Sequence, residues 1–254
     1  MGSIADKHST ASDNIHQDEV GLNAIDNKQQ QDMSVATDTQ HEDVKQFVPQ
    51  EPIKIAYEDQ MRAEVYGFIA KLLLATPNQG RLEQLSQLEG DDTPLGEAFA
   101  LFAKLAGNSN ETDARDEYNA LFIGLGRGEL LPYASYYLTG FLNEKPLAKL
   151  RSTMKEHGIV RRDDVKEPED HIGSLMEMMA GLIVGELGIK ATAEGELVAA
   201  DLKAQQAFFN AHIAPWAAYF FQDLERAKGA KLYQPLGTIG RLFVEIESNA
   251  FDMM

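Results

Sequence analysis

The sequence predicts an all-α fold: a single helical-bundle domain of about eight to nine helices with a long central loop, preceded by a disordered N-terminal tail. Three observations carry this. Apolar residues recur at three- and four-residue steps through most of the chain after Tyr57, the spacing of one face of an α-helix. No alternating run of useful length marks a strand, and no internal repeat is visible. Helix start and stop signals, such as Asp92-Thr93-Pro94 and Gly107, punctuate the periodic stretches.

Residues 1–55 form the expected tail. They hold one aromatic, Phe47, and polar runs such as Asp26-Asn27-Lys28-Gln29-Gln30-Gln31-Asp32. So little apolar surface cannot offset chain entropy, and disorder is expected. Pro49 and Pro52 flank the junction with the helical domain, 56–254. There, Tyr57, Met61, Val65, Phe68, Ile69, Leu72 and Leu73 define the buried face of a first helix, which Pro77-Asn78 ends. A short helix over 81–88 follows. Thr93 is an N-cap with Pro94 at the first helical position, Leu95, Phe99, Phe102 and Leu105 facing inward and Gly107 closing the helix. A helix over 112–122 turns Tyr118, Leu121 and Phe122 inward. Three glycines and Pro132 within 124–133 make the central loop. The stretch 135–138 is short and carries no clear signal. Pro146 opens a helix that ends at Gly158, and a charged connector leads to Pro168. Ile172, Leu175, Met176, Met179, Leu182 and Ile183 define a helix to about Gly188. Further helices are expected over 194–212, 215–228 and 232–248.

Composition excludes several function classes. The 254 residues carry 23 Lys and Arg against 40 Asp and Glu, a formal net charge of −17. Such a surface repels phosphate backbones, so general nucleic-acid binding is not expected. There is no cysteine, which rules out disulfides, thiolate catalysis, iron–sulfur clusters and Cys-type zinc sites. No apolar run approaches the roughly 20 residues of a membrane helix. No secretory signal is visible, and Asp6 spoils the myristoylation pattern begun by Met1-Gly2-Ser3. A cytoplasmic address fits these features.

The chemistry-bearing residues have few strong patterns. Gly124-x-Gly126-x-Gly128 lacks the Gly-Lys-Ser/Thr ending of a phosphate loop and follows no strand. It reads as a helix stop and a tight connection, although a nucleotide-binding hydrolase is the alternative it raises. Asp170, His171 and Ser135 invite a hydrolase triad. Neighbours on a helix diverge by about 100°, however, and no Gly-x-Ser-x-Gly elbow exists. The acidic run 167–170 suits a helix N-terminus, which leaves His171 unexplained. His171 and Glu177 are six residues apart, no Glu-x-x-His motif is present, and the other histidines have no ligand spacing. No metal or cofactor site is read, and no catalytic residue is assigned. Met176, Met178 and Met179 read as core filling, with an adaptable peptide-binding face as the alternative.

Four segments together resemble the TorD/DmsD/NarJ family. Residues 118–124 (Tyr-Asn-Ala-Leu-Phe-Ile-Gly) resemble its Y-x-x-L-F-x-G segment. Residues 131–138 (Leu-Pro-Tyr-Ala-Ser-Tyr-Tyr-Leu) are similar to its P-P-[WY]-x-S-x-[YW]-L loop. Residues 167–171 (Glu-Pro-Glu-Asp-His) match E-P-x-D-H, and 208–216 resemble its late F-x-x-x-H-[IL]-x-x-W element. The segments occur in family order, over about 57–248. Leu131 stands where the first proline is common, and Tyr133 where tryptophan is frequent.

The resemblance implies an all-helical cytoplasmic chaperone rather than an enzyme. Its implied partners are the twin-arginine signal peptide and the apoprotein of a molybdenum oxidoreductase, with the molybdenum-cofactor insertion machinery as a further partner. Export through the Tat translocase would be delayed until the cofactor is inserted. A NarJ-type chaperone of a non-exported molybdoenzyme is the alternative. The family occurs as monomers and helix-swapped dimers, and stable membrane insertion is not implied. By the same resemblance the client site comprises Tyr118, Leu121, Phe122, Gly124, Pro132, Tyr133, Ser135, Glu167, Pro168, Asp170 and His171. Two guanidinium groups followed by an apolar stretch call for carboxylates beside an apolar groove. Glu167, Glu169 and Asp170 are expected to supply the first. Leu121, Phe122, Leu131, Tyr133 and Tyr136 are expected to supply the second. Pro168 fixes the helix start, His171 donates to a peptide carbonyl, and Trp216 belongs to the core.

Overall fold

The computed structural model describes residues 55–124, 127–161, 165, 167–187, 190, 191, 197, 198 and 200–254. The expected tail, apart from its last residue, and Gly126 lie outside the described residues. Ten α-helices are seen among them: α1 (Tyr57–Leu74), α2 (Gln79–Leu85), α3 (Pro94–Gly107), α4 (Glu111–Tyr118), α5 (Ala134–Thr139), α6 (Lys145–Glu156), α7 (Ile172–Val184), α8 (Leu202–His212), α9 (Ala217–Arg226) and α10 (Tyr233–Asp252). The all-α expectation holds. One antiparallel ladder of two residues per strand, β1 (Lys190–Ala191) with β2 (Leu197–Val198), is added between α7 and α8.

Local chemistry sets the helix ends. Side chains of Asn78, Thr93, Asn110 and Asp201 accept the N–H groups of Arg81, Gly96, Asp113 and Ala204 at the starts of α2, α3, α4 and α8, which satisfies donors the helix itself cannot. The cap at Asp201 explains why α8 begins there and not near residue 194: its backbone is extended, at φ −69° and ψ 168°. Gly185, at φ +74°, stops α7 short of the expected Gly188. Gly107 does not close α3 from outside; it is the last helical residue, and Asn108 follows it.

Helix α7 is the centre of the core. Ten of its thirteen residues are buried, the mark of a helix enclosed on all sides. Met176, Met178 and Met179 are among them, as core filling requires. Helix α1 packs along α7 and buries Ile69, Leu72 and Leu73, as expected, together with Tyr66. Tyr57 and Met61, expected inward, are exposed. Tyr66 escapes the periodic reading because its ring is buried while its hydroxyl donates to Glu247 Oε2 at 2.9 Å. Trp216 is buried and donates its indole N–H to the His212 carbonyl at 2.8 Å.

The chain after α4 departs from a plain helix. Residues Asn119–Ile123 form a π-helical turn, closed by the Gly124 N–H on the Asn119 carbonyl at 2.7 Å. Leu121 and Phe122, within this turn, are buried in the core. Gly124 has φ +60°, and a Cβ there would lie 1.9 Å from the Arg127 carbonyl oxygen. Only glycine fits. The loop then folds back, with the Leu130 N–H on the Leu121 carbonyl at 2.8 Å.

Candidate functional site

Two segments 35 residues apart in sequence meet where α5 and α7 begin. The Ile172 N–H donates to the Pro132 carbonyl at 2.8 Å, and the Ala134 N–H to the Asp170 carbonyl at 3.0 Å. Tyr133 and His171 thereby pair as an isolated antiparallel bridge. Their rings stand edge to face with centroids 5.2 Å apart. The loop 131–138 and the run 167–171 thus form one unit.

His171 is the N-cap of α7. Its Nδ1 accepts the Gly173 N–H at 3.1 Å. That bond requires an unprotonated Nδ1, so the neutral ring carries its proton on Nε2. Burial pushes its pKa down to about 4. A neutral cap resolves the difficulty of a histidine at the positive end of a helix.

Asp170 is fully buried. Its Oδ2 accepts the Ser135 N–H at 2.8 Å. Its Oδ1 and the Ser135 Oγ, both buried, have no hydrogen-bond partner. An unsatisfied buried carboxylate oxygen is costly. The triad reading fails on the same geometry. Asp170 bonds the Ser135 backbone rather than the imidazole, and the His171 Nδ1 is spent on the cap.

The other two carboxylates are engaged. Glu167 is exposed and accepts the Tyr133 hydroxyl. Burial and this bond both raise the Tyr133 hydroxyl pKa. Glu169 is buried and receives Arg151, through Nη2 at 2.8 Å and Nε at 3.1 Å. Arg161 stands 3.9 Å away. Burial alone would raise the Glu169 pKa, but the Arg151 bond holds it below its ordinary value. Pro168 sets the turn by accepting the His171 N–H at 3.1 Å.

Of the expected site residues, Pro132, Tyr133, Ser135, Glu167, Pro168, Asp170 and His171 are thus brought together. Tyr118 stands near them: burial first, and then the Glu167 charge, raises its hydroxyl pKa. That hydroxyl donates to the Leu73 carbonyl at 3.1 Å. Leu121 and Phe122 are not on this surface. They are buried, and Phe122 packs on Tyr233 with centroids 5.6 Å apart. Gly124 shapes the loop behind them. Of the apolar groove expected from Leu121, Phe122, Leu131, Tyr133 and Tyr136, Leu121 and Phe122 thus belong to the core, whereas Leu131, Tyr133 and Tyr136 are partly exposed.

An apolar recess lies instead between α5, α6 and α8. It is a cavity of about 390 Å³ whose walls include Leu138, Pro146, Leu150 and Leu175, with Asp170 among the lining residues. Asp170 and Leu175 are fully buried, whereas Lys145 and Lys149 are exposed and stand at the mouth. His212 also lines it, with Nε2 2.9 Å from the Thr153 Oγ1. Burial, and secondarily the Lys149 charge, pushes the His212 pKa down to about 4. Sequence reasoning missed α6 as a wall of this site. Its only signal was Lys145 at the start of a helix with no acid in the first turn, against the usual preference there.

The family model described as nitrate reductase delta subunit matches residues 88–222. The chain belongs to the TorD/DmsD/NarJ family. Among curated relatives, the chaperone protein TorD of Vibrio cholerae is 26% identical over 208 residues, covering 76% of this chain and 93% of that protein. TorD of Aliivibrio fischeri is 30% identical over 177 residues, covering 64% and 81%. A solved structure from Archaeoglobus fulgidus, described as a "putative redox enzyme maturation protein", has a TM-score of 0.48 at 19% identity, covering 77% of this chain and 99% of that one. The TorD relatives are named as chaperone proteins. Among the described residues no cluster of three or more His, Asp or Glu has metal-binding geometry, and no helix is long and apolar enough to cross a membrane.

Proposed function

We propose that this protein is a cytoplasmic maturation chaperone for a molybdenum oxidoreductase. It binds the twin-arginine signal peptide of the apoenzyme and delays Tat export until the molybdenum cofactor is inserted. The observation that carries the reading is the buried Asp170 carboxylate beside an apolar recess, at the junction of two family segments. A signal peptide offers the complementary chemistry: cationic donors followed by an apolar stretch. The Nε2–H of His171 supplies a donor for a peptide carbonyl, and Tyr133 supplies an aromatic edge.

The test is titration of the full chain with signal peptides from the host's molybdoenzymes, each beside its Arg-Arg→Lys-Lys version. Micromolar or tighter binding of one parent peptide, weakened at least tenfold by the double lysine change, is expected. No binding of any parent peptide would overturn signal recognition. A second reading is favoured by the match to a nitrate reductase delta subunit model: a chaperone whose client is not exported. Binding to such a client's N-terminus, with none to a twin-arginine peptide, would select it.

A further inference from the structure

Positive charge is concentrated on one stretch of this acidic chain. The whole chain carries 23 Lys and Arg against 40 Asp and Glu, yet residues 145–161 hold Lys145, Lys149, Arg151, Lys155 and Arg161 against a single acid, Glu156. All of these bases are exposed. Residues 162–166 bring two bases and two acids and leave the balance unchanged.

Arg151, Lys155 and Arg161 surround an open cleft of about 370 Å³ at the end of α6. Its apolar part is aliphatic: Met154 and Ile159 are buried, and Val160 is 85% exposed. Glu169 holds Arg151 in place, accepting its Nε and Nη2 at 3.1 and 2.8 Å, while 55% of the arginine side chain stays exposed. Arg161 stands 3.9 Å from the other oxygen of the same carboxylate. With Lys155, the cleft carries three positive charges against one negative. It shares no lining residue with the recess between α5, α6 and α8.

Such a cleft calls for an anionic partner. A guanidinium already fixed by one carboxylate is pre-organised to receive another on its remaining donors, because the donors lie in a rigid plane. Nucleic acid suits the cleft poorly. Among the described residues no aromatic ring lines it, so a base finds no stacking face, and the net charge of −17 repels a phosphate backbone. A protein segment with an aliphatic residue between carboxylates satisfies both the cations and the exposed valine.

We infer that the cleft at the end of α6 docks an acidic segment of the client's mature polypeptide, with its carboxylates on Arg151, Lys155 and Arg161 and an aliphatic side chain on Val160. This rests on the proposed chaperone role but not on signal-peptide recognition, since a cationic signal is repelled here. The client is held at two places of opposite charge.

The experiment titrates the full chain with apoproteins of the host's molybdoenzymes from which the signal peptide has been removed. Lys155→Glu with Arg161→Glu reverses two exposed charges of the cleft. Lys104→Glu with Lys203→Glu makes the same change in net charge on exposed positions of α3 and α8. One apoprotein is expected to bind, at least tenfold more weakly to the cleft variant and less than twofold more weakly to the control. The cleft variant should bind a twin-arginine peptide no more weakly than the parent chain does. Val160→Ser should weaken the apoprotein threefold or more; no effect would overturn the aliphatic part of the contact. Equal losses in the cleft variant and the control, or a cleft variant that binds as the parent does, would overturn the docking site. Self-association of the chain, or binding of a single-stranded oligonucleotide, that the cleft variant alone abolishes while apoprotein binding persists would overturn the client as occupant. If a signal peptide binds and no apoprotein does, the docking site is overturned and signal recognition stands. If neither binds, the chaperone role itself fails.

Discussion

At the scale of single residues, His171 shows how a family motif can be held by a structural role. Its imidazole caps α7 only while Nδ1 is unprotonated. Its pKa is about 4 in the folded chain against about 6.5 in an unfolded one. The sign follows directly. Between these values the unfolded chain binds the proton and the folded chain does not. Stability conferred by the neutral cap is therefore complete above about pH 6.5 and is lost as the pH falls towards 4, by about 3 kcal/mol at most. Asparagine caps a helix without titrating. His171→Asn should therefore make the acid limb of a urea-unfolding series between pH 7 and pH 4 shallower, with the part due to His212, whose pKa is also about 4, remaining. An unchanged slope would remove His171 as its source. The motif Glu-Pro-Glu-Asp-His was legible in the sequence, and so was its acidic fit to a helix start. The cap was not, because the histidine's role depends on which ring nitrogen faces the Gly173 N–H.

At the scale of elements, two contacts govern the local architecture. The first is the stop after the π-helical turn. Gly124→Ala places a methyl group against the Arg127 carbonyl at a positive φ and should cost about 2 kcal/mol or more, read as a lowered urea midpoint. The second is a buried polar knot between α1 and α10. Arg62 donates through Nε and Nη2 to Glu247 at 2.9 Å each, and the Tyr66 hydroxyl joins them. Removing only the carboxylate takes the acceptor from three donor groups, the Arg62 Nε and Nη2 and the Tyr66 hydroxyl, so Glu247→Ala should cost about 3 kcal/mol. The double change Arg62→Met with Glu247→Leu should cost less than the single one; a larger loss would show that the ion pair itself stabilises. Helix existence was readable from periodicity and caps, as at Thr93-Pro94. The π-turn and the exposed first turns of α1 were not, since both depend on what the helix packs against rather than on its own spacing.

At the scale of the whole molecule, residues distant in sequence are held together by carboxylates that cap backbone. Glu117 accepts the N–H groups of Lys231, Leu232 and Tyr233 at 2.7–3.1 Å. Glu129, which follows the glycine loop, accepts those of Lys228 and Gly229 at 2.8 and 3.1 Å. Both clamp the turn before α10 and so position the loop that reaches the site. Glu117→Ala exposes the start of α10 and should cost about 1–2 kcal/mol, measured by thermal unfolding, with no change in peptide affinity. Half of the site was legible because two motifs name it. The other half, the wall made by α6 and α8, was not, because no local pattern says which helices will close around a carboxylate.

The junction of α5 and α7 as the client site is open to direct mapping by backbone hydrogen exchange of the full chain, with and without a bound signal peptide. Protection concentrated at 132–138, 145–150 and 170–175 is the expected result, with the same regions unprotected in Asp170→Asn. Protection confined to other faces, with these segments unchanged, would contradict the assignment of the site.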